Sequence, residues 1–293
     1  MAYLPVQAQN LMGQTWLTGG RLGLTATFSG TNRPLIKIRY DSLASGFPFY
    51  FGSAGANICD SATGKLLFFT NGMKLWDSAG NVMPSGDSLM PPKAYTQNNP
   101  PLLGQTQGSL ILPKGSAGRY YVFIPTVSDT TYDWYWTGAS GLPNAPFDML
   151  YVFEVDMQAN NGLGTVVSRN KKLLHDKELY KTGMQACRHA NGYDWWLLKQ
   201  GGYGKNEIIR FLITKDSIYG PYIQVFADPE FSYKDLSGQI SFSSDGKNLV
   251  SSFGTLNKMF LADFDRCSGL LSNPKVINIP IDSTTIPNPL PLS

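Results

Sequence analysis

The feature of this sequence that most restricts its fold is a hairpin pattern that occurs four times. Each copy joins a short apolar stretch to a second stretch rich in aromatic or β-branched residues, at residues 56–69, 109–123, 184–198 and 239–253. The turn glycines, Gly64, Gly118, Gly192 and Gly246, stand 54, 74 and 54 residues apart. The Asn, Asp, Ser and Gly residues of these turns permit the positive φ that tight turns between antiparallel strands require. The pattern therefore predicts four antiparallel hairpins.

Two more strand-like stretches follow each hairpin. They lie at residues 73–77 and 81–83, 149–156 and 164–174, 207–214 and 222–226, and 258–264 and 274–281. Four antiparallel strands that repeat about every 50 residues are typical of the blades of a β-propeller. A β-sandwich also needs many short strands, but it does not require the same hairpin to recur at this period. We therefore predict an all-β chain, a β-propeller of four-stranded antiparallel blades with little helix.

The segments around the repeats set the predicted extent of the propeller. Two further strand-like stretches, 22–28 and 35–40, form half a blade, so the propeller region at 16–281 holds about four blades plus a half blade. Residues 1–15 fit either the remnant of a secretory signal or a disordered start. Residues 282–293 form a Pro-rich tail or mark a truncation point. The sequence thus predicts an incomplete ring, whose open blade face would allow association with another protein.

The first strand of each repeat is expected to line the central channel, at residues 56–60, 109–113, 184–188 and 239–243. Cys59 and Cys187 hold equivalent positions, five residues before their turn glycines. We predict that both are buried thiols between blades, too far apart for a disulfide. With two histidines and no CxxC or HxxxH spacing, the sequence predicts no metal site. It contains no phosphate-binding or dinucleotide-binding glycine motif, so no cofactor is predicted.

Acidic residues are almost absent from the predicted inner strands. Hydrolysis of a glycosidic bond requires two carboxyl groups about 5–10 Å apart. Asp60, at the end of one inner strand, has no acidic counterpart on the others. No serine-nucleophile motif is present either. We therefore predict no catalytic residues.

Composition excludes two further classes of function. Charged residues make up 15% of the 293 residues, and the net charge is only +3. Because the Lys and Arg residues are scattered, no nucleic-acid-binding surface is predicted. No apolar stretch approaches the roughly 20 residues that a membrane helix needs, so no membrane span is predicted.

The most unusual segment is an aromatic cluster in an insertion at residues 125–147. It contains Tyr132, Trp134, Tyr135 and Trp136, with few charges nearby. Exposed Trp and Tyr rings stack on sugar rings and anchor protein interfaces. We predict that these four residues form a ligand-binding surface loop. The alternative, that the rings fold back to cover a blade edge, stays open at this point.

Several phrases of the sequence resemble one protein family. Residues 263–274 (DFDRCSGLLSNP) and 65–83 (KLLFFTNGMKLWDSAGNVM) are similar to blade phrases of large secreted propellers in Bacteroidetes. Residues 105–113, 160–166 and 189–196 also fit phrases of that family. Its members are gliding-motility-associated and type IX-secreted surface proteins. The resemblance implies a propeller fold and a secreted or cell-surface location, and it supplies no catalytic residues.

These observations favour a binding or interaction scaffold over an enzyme. The expected partner is an extracellular glycan or a surface protein, because the weakly charged aromatic insertion suits stacking better than ion pairing. The alternative is a polysaccharide-acting hydrolase or lyase of the same fold, which would need the paired carboxyl groups that the inner strands lack.

Overall fold

The computed structural model describes residues 15–18, 23–29, 35–41, 55–97, 107–139, 147–227, 238–253 and 257–280. Residues 1–14 of the predicted start at 1–15 and the predicted tail at 282–293 lie outside these ranges, whereas Thr15 belongs to a strand. The described part is almost entirely β-structure, as predicted. Neither of its two α-helices has the length and apolarity that crossing a membrane requires.

The strands form five antiparallel sheets in the described residues, and each sheet follows chain order. Two sheets have three strands: β1 (Thr15–Thr18), β2 (Gly23–Ser29) and β3 (Leu35–Asp41), then β4 (Ala56–Cys59), β5 (Leu66–Thr70) and β6 (Leu75–Asp77). The third sheet comprises β7 (Leu110–Pro113), β8 (Arg119–Thr126), β9 (Met149–Asp156) and β10 (Thr165–Leu174). The fourth comprises β11 (Leu179–Arg188), β12 (Trp195–Gly201), β13 (Glu207–Ile213) and β14 (Ile218–Val225). The fifth comprises β15 (Gly238–Phe242), β16 (Asn248–Phe253), β17 (Lys258–Phe264) and β18 (Leu271–Asn278).

The five sheets are the blades of a β-propeller. First strands of neighbouring sheets lie side by side, with β1 next to β4, β4 next to β7 and β11 next to β15. Repeated antiparallel sheets that meet through their first strands are the arrangement that defines this fold. The predicted inner strands are confirmed as β4, β7, β11 and β15. The four turn glycines have φ between 68° and 79°, as tight turns require.

Three predicted elements differ in kind from the structure. The two N-terminal strands are not half a blade, because β1 pairs with β2 and makes a three-stranded sheet. The segment at 81–83 is a single bridge between Trp76 and Val82, since the Asp77 carboxylate accepts hydrogen bonds from the backbone of Ala79 and Asn81 and folds the chain into a tight turn. The aromatic insertion is not a loop, because residues Asp129–Trp136 form helix α2.

The core lies between the sheets. One apolar cluster joins the second, third and fourth sheets, and Phe68 meets Tyr120 edge-on there at 5.4 Å between ring centroids. Another joins the fourth and fifth sheets, where Phe226 meets Phe260 at 5.5 Å. The middle strands of the third and fourth sheets, β8, β9, β12 and β13, are buried on both faces. Cys59 and Cys187 are both buried, as predicted, and no disulfide joins them.

Candidate functional site

Two helices, α1 (Pro92–Gln97) and α2 (Asp129–Trp136), contact each other and form a helical cap. α1 lies in the connection from the second sheet to the third, and α2 joins β8 to β9 within the third sheet. In an antiparallel sheet that follows chain order, these two kinds of connection fall at the same end. The helical cap therefore covers the end of the propeller opposite the glycine turns.

A buried carboxylate fixes the start of α2. Ser128 is the N-cap, and its hydroxyl oxygen accepts a hydrogen bond from the backbone N–H of Thr131 at 3.2 Å. The Asp148 carboxylate accepts three hydrogen bonds, from the Ser128 N–H at 2.7 Å, the Ser128 hydroxyl at 2.6 Å and the Thr131 hydroxyl at 2.7 Å. Asp148 is 7% exposed. A negative charge beside the first turn also interacts favourably with the helix dipole.

Two contacts attach α1 to α2. The backbone N–H of Lys93 donates to the Asp129 carboxylate at 2.9 Å, and the Lys93 ammonium forms an ion pair with Asp133. The ion pair is half-exposed, so it adds little to stability. The backbone bond instead fixes the start of one helix against the other.

A polar cluster holds the chain that leads into α1. Asp87 accepts hydrogen bonds from the Tyr95 hydroxyl at 2.6 Å and the Lys74 ammonium at 3.0 Å. Burial would raise the pKa of Asp87, but the bonds from Tyr95 and Lys74 outweigh it and lower the pKa. Arg169, on β10, donates to the backbone oxygens of Asp87 and Ser88. The helical cap is thus tied to the outer strand of the third sheet.

The four predicted ligand-binding residues all lie on α2. The structure describes the side-chain burial of three of them. Tyr132 packs against the apolar cluster of the second, third and fourth sheets. Burial raises the pKa of its hydroxyl, and the nearby Asp133 charge contributes. Tyr135 is half-buried, and Trp134 is 43% exposed. The side chain of Trp136 lies outside the described residues. α2 thus turns the Tyr132 ring inward and presents the Trp134 ring to solvent, and ligand binding by these residues stays a prediction.

Sequence reasoning missed the residues that hold this surface in place, namely Lys93, Asp129 and Asp148. Ser128 followed by Asp129 is a recognisable helix-start signal. Asp148 lies 20 residues after Ser128 in the sequence, so no local pattern predicts its contribution. Among the residues whose positions are described, no group of three His, Cys, Asp or Glu side chains converges to hold a metal ion.

We expect Asp148→Ala to lower the free energy of unfolding by about 2–3 kcal/mol, because a buried N–H and two hydroxyls lose their acceptor. α2 should also become accessible to protease in otherwise native protein. Urea unfolding and limited proteolysis measure the two effects. Asp133→Ala is the matched control, since it removes only the exposed pair with Lys93 and should cost at most about 1 kcal/mol. Equal losses in the two variants would contradict the role of Asp148.

Comparisons with known proteins add only distant structural likenesses. No protein-family model matches the sequence, and a search of curated proteins finds no match. A functionally unknown protein from Desulfotomaculum acetoxidans is 12% identical, with a TM-score of 0.40 over 87% of this chain and 63% of that one. The Dos1 propeller is 12% identical, with a TM-score of 0.36 over 89% and 46%.

A third likeness is to the periplasmic gluconolactonase of Pseudomonas aeruginosa. It is 11% identical, with a TM-score of 0.32 over 88% of this chain and 68% of that one. This chain spans less than two thirds of the length of the first two proteins. Identities and scores at this level assign no activity to the chain.

Proposed function

We propose that this chain is a secreted or cell-surface β-propeller that binds an extracellular glycan through the helical cap. The observation that carries the proposal is the exposed Trp134 on a helix that is fixed at its start by Asp148 and Ser128. A helix that is ordered before binding loses little backbone conformational freedom on binding. Trp134 therefore offers a preformed stacking face for a sugar ring.

The position and charge of α2 favour a neutral ligand. The helix contains two acidic residues, Asp129 and Asp133, and both are engaged by Lys93. No uncompensated positive charge of the described cap residues adjoins Trp134 to attract an anion. A neutral sugar that stacks on the ring fits this surface better than an acidic one.

The inner strands favour binding over hydrolysis. The first strands of the five described sheets, β1, β4, β7, β11 and β15, contain no Asp or Glu. A glycosidase would need two carboxyl groups on opposite sides of the scissile bond. The sequence resemblance to secreted Bacteroidetes propellers of gliding motility and type IX secretion supports the location and the scaffold role together.

We expect Trp134→Ala to weaken glycan binding about tenfold, because the stacked ring and its contact area are both lost. Stability should hardly change, since the ring is already 43% exposed. Glycan-array binding followed by calorimetric titration of the best neutral ligand measures the effect.

The matched control is Tyr193→Ala. Tyr193 is 84% exposed, and it lies on the β11–β12 turn, away from the helical cap. Its removal should leave glycan binding unchanged. Equal affinity in the parent and Trp134→Ala would contradict the proposal, as would a parent protein that binds a surface protein but no neutral glycan.

A further inference from the structure

The geometry points to a second binding site, for a carboxylate carried on a sugar ring, at Arg210 in the outer part of the interface between the fourth and fifth sheets. It is separate from the helical cap and does not depend on the function proposed for Trp134. The ligand class it suits is a uronic acid.

Arg210 is a buried cation without a carboxylate partner. It is 7% exposed, and one of its terminal nitrogens donates to the Ser268 backbone oxygen at 3.2 Å. Its Nε is buried and has no hydrogen-bond partner. None of the ion pairs among the described residues includes Arg210. Burial lowers the pKa of this guanidinium, with the Tyr222 side chain opposing the shift.

Arg266, in the same interface, provides a comparison, because its guanidinium has a purely structural role. Arg266 donates to three backbone oxygens, those of Arg188 at 2.9 Å, Asp245 at 3.2 Å and His189 at 3.3 Å. These bonds join the turns of the fourth and fifth sheets, and they explain why an arginine is present at this position. Arg210 makes one such bond, which leaves most of its donors available.

Aromatic rings form the walls of the site. The Arg210 guanidinium lies 5.9 Å from the centre of the Trp196 ring. Trp196 meets Tyr222 edge-on at 6.3 Å, and Tyr222 is the cross-strand partner of Arg210. Tyr222 is 43% exposed and forms the solvent side. Gly269 packs so closely on Trp196 that a Cβ there would lie 2.6 Å from the indole.

These features together select the ligand. A buried charge without a partner is costly, and proteins keep such groups at sites where they act. The planar fork of a guanidinium matches the two oxygens of a carboxylate. The Tyr222 ring, 43% exposed beside the buried Trp196 indole, adds a surface for a pyranose ring. A uronic acid satisfies both, whereas a neutral sugar leaves the cation unpaired and inorganic phosphate does not use the rings.

The test is calorimetric titration of the full chain with glucuronate, glucose and inorganic phosphate. We expect glucuronate to bind and to outcompete phosphate, and glucose not to compete with glucuronate for this site. Arg210→Met should lower the affinity for glucuronate at least about tenfold, because a charge-assisted bidentate pair is lost. Arg210→Lys keeps the charge but not the fork, and it should retain only part of the affinity.

Arg188→Met is the matched control, because it also removes one guanidinium stacked on a tryptophan, with its carbon 3.8 Å from the Trp195 ring centre. It should bind glucuronate like the parent, and so should Trp134→Ala. A parent that does not bind glucuronate, or an Arg210→Lys variant that binds it as tightly as the parent, would overturn the proposal. So would an Arg210→Met variant that loses stability without losing affinity, since that is the behaviour of a purely structural arginine.

Discussion

Raising the pH from about 7 to 10.5 is expected to increase the free energy of unfolding by several kcal/mol, roughly 3–6, through Lys199 alone. Lys199 is fully buried in β12. Its ammonium donates to the backbone oxygens of Tyr180 and Thr182, and both belong to an irregular stretch of β11. No carboxylate among the described residues pairs with it.

Burial lowers the pKa of Lys199 from 10.5 to about 7 in the native state. Between these two values the unfolded chain binds a proton at Lys199 and the native protein does not. Stability therefore rises with pH throughout that window. Below pH 7 the residue is charged in both states, so the full penalty of the buried charge remains and no longer changes with pH.

Lys199→Met removes the titrating group and keeps most of its apolar bulk. We expect the variant to lack this part of the pH dependence, so that the difference in stability between parent and variant changes steadily from pH 7 to pH 10.5. Other lysines and tyrosines that titrate in the window contribute equally to both proteins and cancel in the difference. Urea unfolding at several pH values provides the measurement. Parallel pH curves for the two proteins would show that Lys199 stays charged or is not buried.

The regular part of this fold could be predicted because it depends on local chemistry. In four of the described sheets, a turn whose Gly adopts positive φ joins the first strand to the second, as at Gly64 and Gly246, and the flanking strands follow from their apolar stretches. Because the same turn recurs, the inner strands were located to within a residue or two at three of four positions. The exception is β11, which begins at Leu179 instead of residue 184.

The features that could not be predicted depend on contacts between distant residues. α2 consists of DTTYDWYW, residues with weak helix propensity, and it forms because Asp148 satisfies its first turn. Lys199 reads in the sequence as the polar end of an apolar strand. Only the irregular course of β11 brings two backbone oxygens to its ammonium inside the core. The exposure of Trp134 follows from how α2 sits on the propeller, which its spacing alone does not reveal.

Gly183→Ala is expected to lower the free energy of unfolding by about 3–5 kcal/mol. Gly183 ends the irregular stretch of β11, with φ of +68°. A Cβ at this position would lie 1.9 Å from Oε1 of Gln200. That side chain is buried, and its amide donates to the Ser251 hydroxyl at 2.9 Å, which links the second strands of the fourth and fifth sheets. Alanine would have to displace Gln200 and break this link.

Gly192→Ala separates the contact from the backbone strain. Gly192 has φ of +79°, and a Cβ there would meet nothing within 4 Å, so this variant should lose only about 1–2 kcal/mol. A double variant, Gly183→Ala with Gln200→Ala, removes the side chain that alanine would strike. Its loss should be clearly smaller than the sum of the two single losses, because both single changes break the same link to Ser251. Two results would contradict this account: additive losses in the double variant, or equal losses in Gly183→Ala and Gly192→Ala. Either would show that Gln200 does not occupy the space beside Gly183 and that another contact links the fourth and fifth sheets.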